Sequence, residues 1–175
     1  MTQNNESPDM VRQALIEHHR KLIATHGVAL TYVSPTEEDL QKNPNLLPFA
    51  YTSGLSLYGL PEFVVSGLPA EASSIVLNCL SKSMIARPAT GHVIEPLPED
   101  QILDHDNHGT GLSVPVYLRA VGPAHLAETT SMTRAALRGA PDRVQQVLVP
   151  DQHGLWPWET GCELNQTIMS ADPIP

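Results

Sequence analysis

Positive charge is scarce in this chain: Lys and Arg total 10 against 19 Asp and Glu, a formal net charge of −9. Phosphate-backbone binding needs clustered cations, so a general nucleic-acid binder is excluded. Cysteine is nearly absent. Cys79 and Cys162 make no framework, and without a secretion signal no disulfide is expected. No apolar run approaches the roughly 20 residues that span a bilayer. The polar start, Met1 to Asp9, holds no apolar signal segment. These absences predict a cytoplasmic protein with neither membrane nor nucleic acid as a partner. No glycine-rich phosphate loop follows a strand, which removes support for a nucleotide-binding βαβ unit.

What is present is enough for one core. The 175 residues are 41% hydrophobic, normal for a single globular domain. The reading divides them into a disordered start over 1–8, one domain over 9–163 and a loose tail over 164–175. Ser7-Pro8-Asp9 has the form of a helix start, and Gly27 ends the helix. Its apolar face holds Val11, Leu15, Ile16, His19, Leu22 and Ile23, while His18, His19 and His26 read as ordinary helix histidines. Strands follow over 28–33, 49–57 and 62–68, with 34–47 as a loop and the second and third strands forming a hairpin. Pro69 opens a second helix with Ala72, Ile75, Val76, Cys79, Leu80 and Met84 as its stripe. The stretch 91–111 is irregular. Alternation over 112–120 predicts a strand, and Pro115 favours an edge position for it. A third helix is expected over 123–138 and a last strand over 144–149. This order predicts an α+β domain: a mixed or antiparallel sheet with about three helices packed on one side. The expected core includes Tyr51, Val64, Val65, Ile75, Val76, Leu80, Val116, Leu118, Val147 and Leu148.

Three strings are distinctive: PFAYTSGLSLYGLPEFVVSGLP (Pro48 to Pro69), VPVYLRAV (Val114 to Val121) and VQQVLVPDQHGLWPWETG (Val144 to Gly161). Through them, over roughly His18 to Gly161, the chain resembles an uncharacterised bacterial family, domain of unknown function 4262. That resemblance implies no particular activity, and the cofactor is left unknown.

Two clusters carry residue types suited to chemistry. The last string holds both tryptophans, Trp156 and Trp158, around Pro157. Proline fixes the backbone between them near extended geometry, which suits a pocket floor for a planar or apolar ligand. Asp151, His153 and Glu159 stand beside them as acid–base candidates, and Tyr51 and Ser53 of the hairpin are placed nearby as ligand contacts. The competing reading is that Asp151 to Gly154 is a turn and the indoles cover the end of the core. The second cluster is Asp104-His105-Asp106-Asn107-His108-Gly109, the densest run of metal-type ligands. His105 and His108 are its candidate metal ligands, and a solvated polar turn is the alternative. Ser53 lacks the strand–turn–helix setting of a hydrolase nucleophile. Cys79 falls in a helix stripe, where a structural role is expected.

Two functions remain open. One is a small-molecule-binding or enzymatic domain with its site around the Trp-Pro-Trp segment. The other is a protein-interaction module of the inhibitor or immunity type, using the same aromatics as an anchor patch. The expected partner is accordingly a small-molecule ligand or a protein, and a homodimer is an open option. A concave, partly polar pocket would separate the first from a convex apolar patch.

Overall fold

The computed structural model describes residues 7–87, 94–139 and 141–170. The expected disorder over 1–6, part of the irregular stretch 91–111 and the end of the tail lie outside those residues. Six strands form one mixed sheet. They are β1 (Ala29–Val33), β2 (Phe49–Ser53), β3 (Glu62–Ser66), β4 (Ile102–Leu103), β5 (Val116–Ala120) and β6 (Val144–Leu148). Their order is β1-β2-β3-β6-β5-β4. Only β3 and β6 run parallel; the other neighbours are antiparallel. The central pair, β3 and β6, is buried at every position. The α+β expectation holds. Of the expected core, Tyr51, Val64, Val65, Val76, Leu80, Val116, Leu118, Val147 and Leu148 are buried.

Helices cover both faces rather than one. On one face α3 (Ala70–Ile85) packs Val76, Leu77, Leu80 and Met84 against Ala50, Phe63, Val65, Leu118 and Val147. The opposite face takes α1 (Pro8–His26), α5 (Pro123–Thr129) and α6 (Ser131–Leu137). There Ile23 of α1 meets Ala29 and Ala136, and Tyr51 and Val64 meet Leu126 and Met132. Strand residues alternate between faces, so β2 supplies Ala50 to one helix layer and Tyr51 to the other.

Local departures from the sequence reading have physical causes. Ile75 is 55% exposed. It lies about 170° around the helix from the centre of the buried face of α3, and Ser73 and Ser81 are buried in its stead. The second strand stops at Ser53, and Leu55–Tyr58 form a 3-10 turn. The first strand of the VPVYLRAV string begins only after Pro115, so β5 sits between β6 and β4 without needing an N–H from that proline. Residues 36–42, read as loop, contain α2 (Glu37–Lys42), started by a reciprocal cap between Thr36 and Asp39. The third helix is broken in two at Thr130, whose φ of −134° is not helical.

The segment 164–170, read as the start of a loose tail, is held on the sheet. The Gln146 amide donates to Thr167 O and accepts from Met169 N. Gln166 does the same between Val149 N and Ser66 O. Gly67, at φ +75°, lies so close that a Cβ there would meet Asn165 O at 1.9 Å. No helix among the described residues is long and apolar enough to cross a membrane.

Candidate functional site

The segment after β6 turns back on itself and is organised by two carboxylates. Asp151 Oδ1 accepts from His153 N and Leu155 N, both at 2.9 Å, and Oδ2 accepts from Glu163 N at 2.9 Å. Those three amides, led by Glu163 N, hold its pKa below the ordinary carboxylate value. Glu159 accepts from Trp156 N at 2.6 Å while its own N–H donates to Trp156 O. Both side chains close turns at either end of the loop. Asp151 has both oxygens taken by backbone amides, and Glu159 gives Oε2 to its own turn. His153 is exposed, with Nε2 3.6 Å from Glu163 Oε2.

The two indoles stack at 5.2 Å and 10°, and Tyr117 meets both edge-on at 6.3 and 5.1 Å. With Leu148 they form a small cluster in which Trp156 is 9% exposed and Trp158 half-buried. They cover the β5–β6 end of the sheet. Tyr51 and Ser53 are elsewhere: β3 and β6 separate β2 from β5, about 14 Å at the usual strand spacing. Tyr51 is 1% exposed and its hydroxyl accepts from Met132 N. Ser53 is fully buried, hydrogen-bonded to Thr133 Oγ1 at 2.7 Å. The structure therefore does not bring the hairpin candidates to the Trp-Pro-Trp segment.

The concave surface near this loop lies at its root. A groove of about 380 Å³ is lined by Leu68, Ala72 and Val76 of the α3 side, by Val114, by Val149 to Gln152 and by Glu163 and Leu164. Here the C-terminal ends of the parallel strands β3 and β6 lie beside the start of α3. Apolar side chains make its walls, and Asp151, Gln152 and Glu163 make its polar rim. A second cavity of about 440 Å³ adjoins it through Val114 and is lined by Asp104, His105, Asp106 and 111–115.

The histidine cluster forms a one-turn helix, α4 (His105–His108), capped by Asp104. His105 Nδ1 accepts from Gly111 N and His108 Nδ1 from Asp104 N, at 3.1 and 3.3 Å. The metal expectation therefore finds each ring already engaged at Nδ1. Among the described residues, no group of three His, Cys, Asp or Glu side chains is placed to hold an ion.

Sequence reasoning missed a buried carboxylate. Glu62 is 0% exposed and accepts from Gly54 N, Ser56 N, Ser56 Oγ and Thr52 Oγ1 at 2.7–3.0 Å. It locks the 3-10 turn to the end of β2. Gly54, at φ +125°, packs so tightly that a Cβ would meet Gly27 O at 2.4 Å. The Thr52-Ser53-Gly54…Glu62 pattern is thus a structural lock. His19 on α1 is buried, and its Nε2 has no hydrogen-bond partner among the described residues. Burial, then the neighbouring His18, lowers its pKa, and Glu62 opposes them.

The family described as Domain of unknown function (DUF4262) matches residues 22–163. No curated protein and no solved structure matches the chain.

Proposed function

The chain belongs to the DUF4262 family, whose description assigns no activity, and on that premise we propose from its own residues that the protein binds a small apolar molecule in the groove between α3 and the root of the Trp-Pro-Trp loop. The observation that carries this reading is the groove itself. At about 380 Å³ it falls in the size range of small-ligand sites, which combine apolar walls with a few polar groups. Its walls are Leu68, Ala72, Val76, Val114 and Val149, and its polar groups come from one loop that Asp151 holds in shape. The Trp pair takes a supporting role here: it anchors the far side of the loop on Tyr117 and Leu148. Binding is favoured over catalysis because the carboxylates of Asp151 and Glu159 are engaged by backbone amides. The partner-binding alternative would draw on the same aromatics, of which Trp156 is 9% exposed and Trp158 half-buried.

The test is a ligand-observed NMR titration with 1-naphthylmethanol, a neutral apolar probe. Saturable binding to the wild type is expected. Ala72→Phe, which fills the groove from α3, and Val114→Trp, which fills it from the exposed opposite wall, should each abolish binding without lowering the melting temperature. Absence of binding, or unchanged affinity in both variants, overturns the reading.

A further inference from the structure

We infer that the ligand of this groove is a cation: an apolar body lying along Val76, Val149 and Val114, with a protonated amine paired to Glu163. The inference rests on the groove being the ligand site and goes on to assign the charge of its occupant. The charge of the surroundings is one-sided. Asp151 and Glu163 line the groove, and Asp104 and Asp106 line the adjoining cavity across Val114. Among the described residues neither lining contains Lys or Arg; His105 lines the second cavity, and His153 stands outside the linings with Nε2 3.6 Å from Glu163 Oε2. An anion seated on the apolar walls would meet carboxylates on both sides, whereas an amine meets complementary charge.

The carboxylates differ in what they offer. Asp151 has both oxygens occupied by backbone amides, so it contributes negative potential without a vacant acceptor. Its lowered pKa keeps that charge fixed at neutral pH. Glu163 gives one oxygen, Oε2, to Gln152 Nε2 at 2.9 Å. Its other oxygen makes no hydrogen bond among the described residues, and the side chain is 61% exposed. It is therefore the acceptor with capacity left at the mouth of the groove. Gln152 steadies it, and its backbone N–H is tied to Asp151, so its position follows the same loop that shapes the walls.

The test compares three probes of one shape: 1-naphthylmethylamine, 1-naphthylmethanol and 1-naphthoate. Each is titrated by NMR at low salt and about pH 8, above the ordinary histidine range. The amine should bind about fivefold more tightly than the alcohol, the scale of an exposed ion pair, and the naphthoate more weakly than either. Glu163→Gln should bring the amine-to-alcohol ratio towards one, and salt at about 0.5 M should do the same by screening. Equal affinities, or a preference for the naphthoate, would overturn the cation assignment while leaving the groove as a ligand site. Failure of all three probes to bind would overturn both.

Discussion

At the scale of single residues, the side chains that looked most chemical are the ones holding turns. Asp151 accepts three backbone N–H groups, two from its own turn and one from Glu163 twelve residues on, and Glu159 accepts one from Trp156 three residues back. The titratable group that stands apart is His19, buried with one ring nitrogen unpartnered among the described residues. Its folded pKa lies below its ordinary value of 6.5, so the folded state holds it neutral. The contribution is intact above about pH 6.5. It is lost as pH falls through the lowered folded value, because the unfolded chain then binds the extra proton. Melting temperatures measured from pH 8 to 5 should fall more steeply for the wild type than for His19→Leu. Parallel curves would show that His19 carries no such linkage.

At the scale of elements, the loop over 149–163 and the strand β6 work as one unit. Packing fixes the Trp pair from inside, and Asp151 and Glu159 fix the chain at the two turns. The indoles differ in depth, which predicts an asymmetry. Trp156→Ala removes a side chain 9% exposed and should destabilise by roughly 3–5 kcal/mol, as deletion of a buried aromatic does. Trp158→Ala, half-buried, should cost roughly half as much. Urea unfolding of both variants measures this. A near-neutral Trp156→Ala would mean the indole is not part of the packed end of the sheet. The segment 164–170 is a further strap, laced by the Gln146 and Gln166 amides in place of strand pairing.

At the scale of the whole molecule, most of the architecture was legible because it rests on local pattern. Alternation marked β5, the helical stripe and Gly27 marked α1, and hairpin spacing marked β2 and β3. Nonlocal geometry was not legible. Nothing around Gln146 announces that its amide meets Thr167 and Met169. Nothing at Thr130 forbids a continuous helix, and Ile75 differs from Val76 only in which side of α3 the sheet takes. The capping pair Thr36–Asp39 was a readable signal passed over in a proline-bearing stretch. The site followed the same division. The tryptophans drew attention to the loop after β6, yet the groove proposed as the site is walled by Leu68, Ala72, Val76 and Val149, which in sequence look like any core positions. Their concavity arises only where the ends of β3 and β6 meet α3. The central claim is that this groove, and not the aromatic cluster, receives the ligand. The most direct measurement is an amide and methyl NMR map of the protein titrated with 1-naphthylmethylamine. Shifts should concentrate on Leu68, Ala72, Val76, Val114, Val149 and Leu164, with Trp156 and Trp158 indole signals nearly unmoved. Shifts centred on the indoles, or scattered without a centre, would contradict it.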